Sequence, residues 1–446
     1  MEQQHMFTNR MIRNLLVPVV LEQILNSIMG TADTMMVSNV GSAALSAVSL
    51  VDSINILLIQ AFSALAAGGA IVCAQYIGQK NYEKANMSAR QVLFIITAIS
   101  VAVSAACLIF QKPLLRLIFG AVEADVMHAS ETYFFYTALS FPFIASYDAA
   151  ASIFRAQENT KGPMIISMIS NIMNIGGNAI LIWVFHLGVA GAAISTLVSR
   201  IFCAVVVLYQ LRKDRQPIVV REYLKIRPDW SMIGRILGLG IPSGIENSMF
   251  QLGKLAIQST VSTLGTAAIA AQAMTNILEN LNGIAAIGVG VGLMTIVGQC
   301  LGAGRKDEAV YYIKKLCVIA EIVIIVSCLI VYALARPVTI LGGMEKSSAA
   351  MCIHMITWIT IVKPLVWTMA FVPGYGLRAA GDVKFSMITS CCTMWACRFC
   401  LCVFLIRVLG FGPMGVWIGM FADWTVRGII FTWRFHSRRW LEHKVI

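Results

Sequence analysis

Runs of about twenty apolar residues recur along the whole 446-residue chain, and this constrains the fold before any residue is considered singly. A run of that length crosses roughly 30 Å of hydrocarbon as a helix, and inside a bilayer only helices or closed barrels satisfy their own backbone. Twelve runs are read, at about 15–37, 47–75, 91–110, 132–154, 163–185, 189–211, 232–262, 272–298, 316–335, 350–375, 385–406 and 413–433. Charged residues make up only 13% of the chain, against about one quarter in soluble domains, which excludes a soluble globular protein. The expected class is an all-α polytopic membrane protein.

The net charge of +12 is explained by its placement. With the N-terminus inside, the cytoplasmic loops and ends hold 24 Lys and Arg and the outer loops hold five. That asymmetry puts both termini in the cytoplasm and accounts for the basic balance without a nucleic-acid partner. The first run is too long and too polar for a cleavable signal peptide. Cys397 and Cys400 form a C-x-x-C within a predicted span, without nearby histidines, and are expected to be buried packing residues rather than a metal or redox site.

An internal repeat organises the chain. At an offset of 224 residues Pro18 falls on Pro242, Glu22 on Glu246, Gly41 on Gly265, Gly68 on Gly292, and "QYIGQKNYEKA" (75–85) on "QCLGAGRKDEA" (299–309). The offset slips to 223 around Arg155 and Lys161, which match Arg378 and Lys384, and returns to 224 at Gly188 and Gly412. Each half holds six spans, an even number, so both enter the membrane from the same side and form parallel repeats. The expected domains are a lobe at 1–211, a cytoplasmic linker at 212–230 and a lobe at 231–446. Such a duplicated bundle suits alternating access to a central cavity, the architecture of a transporter.

Polar residues inside the spans are the candidate functional groups. Glu22, Asn26 and Asp33 lie on one helical stripe, and charge at the bilayer centre costs about 2.5–3.5 kcal/mol or more, so the stripe should face protein or water. The repeat divides these acids: Glu22 has the twin Glu246, whereas Asp33 aligns with Ile257. The symmetric pair, with Asn26, suits a shared substrate cavity attracting cations; the single acid suits a private ion or proton site. Lys254 and Glu279 replace Gly30 and Asn55 of the first half at matched depth, which predicts a structural or gating ion pair. No G-x-x-x-x-G-K-[ST] is present, so no ATP-driven engine is encoded, and no His, Asp or Cys cluster suggests an enzyme. "GVGVG" (288–292) reads as helix packing.

The paired spans, the two Gln-x-x-Gly stretches after spans 2 and 8, and "RAQENTKGP" (155–163) resemble the multidrug and toxic compound extrusion (MATE) family. The resemblance implies a V-shaped pair of six-helix lobes that exports organic cations or other amphipathic compounds against an inward flow of protons or sodium. It also implies a coupling site in the first lobe, carried here by Asp33, Asn174, Asn178 and Thr196. Relatives commonly place an Asp at the position of Asn178, so one carboxylate is expected here, with Na+ or H+ as coupling ion and no cofactor or resident metal. A second-lobe ion site is not expected, because span 10 lacks an acid. One proton descending about 100 mV and one pH unit releases roughly 3.7 kcal/mol; exchange for one monovalent cation leaves about 1.4 kcal/mol, unless Glu22 or Glu246 carries a second proton. The expected setting is a monomer in a prokaryotic cytoplasmic membrane. The alternative is a flippase for lipid-linked saccharides, which a more basic cavity would favour.

Overall fold

The computed structural model describes residues 5–446, which contain no β-strand. Its helices are α1 (Asn9–Ser38), α2 (Ser42–Gly78), α3 (Tyr82–Ile109), α4 (Gln111–Phe119), α5 (Ala124–Leu139), α6 (Phe141–Ala156), α7 (Lys161–Asn178) and α8 (Val189–Leu211). The second half follows with α9 (Trp230–Val261), α10 (Thr266–Gly302), α11 (Lys306–Leu341), α12 (Lys346–Ala379), α13 (Val383–Thr393), α14 (Leu401–Arg407) and α15 (Met414–His436). π-helical turns extend α7 at Ala179–Val184 and join α13 to α14 at Met394–Cys400. Nine helical stretches among the described residues are long and apolar enough to cross a membrane. The α5–α6 pair, broken at Ser140 ahead of Pro142, together with α9 and α15, completes twelve spans. Short α4 links two of them. The chain is thus an all-α membrane protein of two six-span repeats.

The repeated motifs are helix-ending turns. Asn81 N–H donates to Tyr76 O at 3.0 Å and Lys80 N–H to Ile77 O at 2.9 Å; 224 residues later Arg305 donates to Cys300 at 2.9 Å and Gly304 to Leu301 at 3.0 Å. Lys80 and Gly304 both lie at positive φ, 58° and 74°. The second motif repeats at its own offset of 223: Asn159 donates to Phe154 and Asp382 to Leu377, both at 3.0 Å, with Glu158 and Gly381 at positive φ. Each is a left-handed C-terminal cap that returns the last helical carbonyls to hydrogen bonding.

Two compact units emerge, and they differ from the two sequence repeats. The first is Leu25–Gly244; the second comprises residues up to Ile24 together with Ile245–Val445. The boundary therefore falls inside α1 and α9, each of which gives its N-terminal half to one unit and its C-terminal half to the other. Small residues make this possible. In the first unit a Cβ on Gly68 would stand 2.7 Å from Gly240 N, so the start of α9 lies directly on α2. In the second, a Cβ on Gly288 would stand 2.9 Å from Val20 Cα, laying the start of α1 on α10. The segment after α8 is docked within the first unit: Ile218 and Val220 are buried, and Val219 N–H donates to Asn86 Oδ1 at 2.8 Å.

Candidate functional site

In the first unit the C-terminal half of α1 meets α7 and α8 through side chains. Asn26 Oδ1 accepts from Ser167 Oγ at 2.9 Å and from Asn171 Nδ2 at 2.8 Å. Two turns on, Asn178 Nδ2 donates to Asp33 Oδ1. Asn174 Nδ2 donates to Thr196 Oγ1 at 3.2 Å, while Ser195 Oγ donates to Asn174 O at 2.8 Å. Gly177 leaves the space that Ser195 occupies, which brings α8 against α7. Asp33 with Asn178, and Asn174 with Thr196, thus form two bonded pairs on neighbouring turns. The π turn begins at the next residue, Ala179; such widening occurs where a helix accommodates a functional group. Asn178 is fully buried and its Oδ1 has no partner. A carboxylate, an unsatisfied amide oxygen and a hydroxyl are hard oxygen donors of the kind that hold a proton or a small cation.

Sequence reasoning passed over part of this neighbourhood. Asp52 of α2 accepts from Tyr133 Oη at 3.1 Å and from Asn55 Nδ2 at 3.2 Å, within electrostatic reach of Asp33. Asp148 of α6 accepts from Ser63 Oγ at 2.5 Å, and Arg200 of α8 donates to Ser140 Oγ at 2.7 Å. Arg200 interacts electrostatically with all three of these aspartates, and Asp52 adds a second carboxylate within electrostatic reach of the one-carboxylate site expected at Asp33. The repeat held the signal: Asp52 aligns with Asn276 and, like Asp33, has no acidic twin.

Glu22 and Glu246 are not open cavity walls. Their exposures are 4% and 7%, and Glu246 accepts from Arg378 Nη2 at 2.6 Å. At membrane depth a buried carboxylate is held by a partner cation, and Arg378 belongs to the same repeated pattern. Asn26, by contrast, is exposed but joins α1 to α7.

The expected Lys254–Glu279 pair does not form. Lys363 of α12, fully buried, donates to Glu279 Oε1 at 2.6 Å and also reaches Asn282 Oδ1. Gly283 makes room for it, since a Cβ there would stand 2.8 Å from Lys363 Nζ. Lys254 instead places its ammonium 4.9 Å from the centre of the Phe250 ring. In a second buried pair Arg427 Nη2 donates to both carboxylate oxygens of Asp423, at 2.9 and 3.1 Å. Cys397 is half-buried and Cys400 exposed, so the C-x-x-C does not supply the buried packing expected of it. Among the described residues no group of three or more His, Cys, Asp or Glu is arranged to hold a metal ion.

Comparison with known proteins agrees with this architecture. The family model MatE matches residues 18–180 and again 242–404, two stretches separated by the repeat's own offset. The probable multidrug resistance protein YoeA of Bacillus subtilis is 25% identical over 439 residues, covering 96% of this chain and 94% of its own. The probable multidrug resistance protein NorM of Thermotoga maritima is 24% identical over 439 residues, covering 97% and 93%. A MATE crystal structure in complex with MaL6 superposes with a TM-score of 0.90 at 19% identity, covering 97% of both chains. The chain belongs to the MatE family of multidrug and toxic compound extrusion transporters.

Proposed function

We propose that this transporter is a secondary antiporter of a prokaryotic cytoplasmic membrane, exporting amphipathic organic compounds, organic cations among them, by alternating access. Inward flow of protons or sodium drives it, and the coupling ion binds at Asp33 with Asn178, Asn174 and Thr196. The observation that carries this reading is the pairing of Asp33 with a buried Asn178 whose carbonyl oxygen is unsatisfied, beside a π turn. A proton on Asp33 or a sodium ion between Asp33 and Asn178 Oδ1 would neutralise the carboxylate and complete the amide's hydrogen-bonding or coordination. Asp52 and Tyr133, bonded to each other and each within electrostatic reach of Asp33, could relay that change from α1 to α2 and α5.

The test is dye efflux in inverted vesicles with imposed proton or sodium gradients, comparing wild type with Asp33→Asn. The variant should lose gradient-driven accumulation, a fall of about tenfold for one-to-one exchange with a monovalent cation and about 500-fold for an uncharged compound. If the gradient that drives wild type drives the variant equally well, Asp33 is not the coupling group.

A further inference from the structure

The second unit carries a charge cluster, buried at Lys363, Arg398, Arg427 and Asp423, whose charges do not balance. Lys254, Lys363, Arg398 and Arg427 bring four positive charges; the acids within electrostatic reach of Lys254 and Arg398 are Glu279 and Asp423. Both acids are committed elsewhere, Glu279 to Lys363 at 2.6 Å and Asp423 to Arg427 at 2.9 Å. Lys254 and Arg398 are the surplus.

Their geometry resembles that of a receptor. Arg398 sits in the π turn Met394–Cys400 with 5% exposure, and its Nε and Nη1 are buried without a hydrogen-bond partner. Its guanidinium carbon lies 4.9 Å from the centre of the Phe250 ring, the same ring that Lys254 approaches at 4.9 Å, so the two cations stand within about 10 Å of each other. Arg398 is buried whereas Lys254 is exposed, so the pair has an inner and an outer member. Nε–H and Nη1–H lie on different edges of the guanidinium plane, so each is a separate unsatisfied charged donor suited to a carboxylate or phosphate oxygen. An aromatic ring softens the field of two cations but does not neutralise them, and uncompensated charge is costly in a membrane span.

We infer that Lys254 and Arg398, arranged around Phe250, bind one anionic group, with a carboxylate-bearing amphipathic compound as the ligand. Arg398 supplies the directional hydrogen bonds and Lys254 the entry charge. This rests on the exporter reading in that the ligand is taken as transported cargo, and it widens the cargo to acidic and zwitterionic molecules.

The experiment is equilibrium binding, with no gradient imposed, of 9-anthracenecarboxylate and its methyl ester to purified full-length protein in phosphatidylcholine nanodiscs. Wild type should bind the acid at least tenfold more tightly than the ester. Lys254→Gln, on an exposed side chain, and Arg398→Gln should each erase most of that preference while leaving ester binding within about twofold; Arg398→Lys should restore part of it. Retained ester binding separates loss of the site from loss of folding. Competition by phosphatidylglycerol but not by free carboxylates would assign the cluster to a lipid headgroup and overturn the cargo assignment, as would competition by chloride alone. Equal binding of acid and ester by wild type, or an unchanged preference in both Gln variants, overturns the site itself. Failure of gradient-driven efflux with the acid preference intact would count against the exporter reading and leave the anion site standing.

Discussion

The fifth span of each repeat opens into a π turn beside buried charge, and the two charges are opposite. In the first unit the turn at Ala179–Val184 follows Asn178, bonded to Asp33, in a neighbourhood of three aspartates and Arg200. In the second, the turn at Met394–Cys400 contains Arg398, in a neighbourhood of four cations and two acids. The helix-ending turns, by contrast, repeat bond for bond. Duplication has kept the devices that end and pack helices and has let the polar interiors diverge in sign. With the coupling ion at Asp33 and an anionic cargo group at Arg398, as proposed, the two units would handle ion and cargo by separate electrostatics.

The largest expected effect tests whether the second unit's charge is organised as pairs plus surplus. Lys363→Met leaves Glu279, whose side chain is 19% exposed, without its partner, and should cost about 2–4 kcal/mol of stability, somewhat less than the loss of one member of a fully buried pair. Adding Glu279→Gln should recover most of that loss. Lys254→Met should cost well under 1 kcal/mol, because Lys254 neutralises no paired acid. Thermal unfolding in detergent reads all four proteins. If Lys254→Met were as damaging as Lys363→Met, the pairing described for Glu279 would be wrong and the contrast between paired and surplus cations would collapse.

A smaller effect sharpens the acidic side of the comparison. Asn178→Asp replaces the amide that donates to Asp33 with a second carboxylate, and two facing carboxylates hold charge only by sharing a proton or binding a cation. Sodium should then bind at least tenfold more tightly than in wild type, about 1.4 kcal/mol. The measurement is the shift of the unfolding midpoint with sodium chloride against choline chloride. Equal shifts in both proteins would mean that the ion does not contact this residue.

Much of the framework was legible in the sequence because hydropathy and repeat offset are one-dimensional. The twelve spans follow from run length, and the 223 offset that pairs Arg155 with Arg378 also pairs the turns at Glu158 and Gly381. Pairing is two-dimensional and was less legible. Lys254 and Glu279 share a depth, but Glu279 faces α12, and neither helix adjacency nor the room left by Gly283 can be counted from loop charges. Asp52 was hidden differently. It sits in a strongly apolar run, where its lack of an acidic twin was the available signal. Glu22 and Glu246 were read as functional because they repeat, yet repetition marks shared structure, and Glu246 is committed to Arg378.

The smallest expected effect tests the repeated turn rather than either interior. Lys80 and Gly304 occupy matching left-handed positions, and only the glycine does so without a Cβ penalty of roughly 1–2 kcal/mol. Lys80→Gly should remove that strain while adding about 0.5–1 kcal/mol of unfolded-chain entropy cost, for a net gain near 0.5 kcal/mol. Gly304→Ala should lose about 0.5 kcal/mol, since it adds the penalty that Lys80 already bears and regains the unfolded-chain entropy term. A Cβ at Gly304 meets no atom within 4 Å, so that loss isolates backbone conformation from packing. Paired measurements of unfolding in detergent would show both signs. Should Gly304→Ala be neutral, the left-handed cap is not what the repeat has retained, and the motif's persistence would have to lie in Gln75 and Gln299 instead.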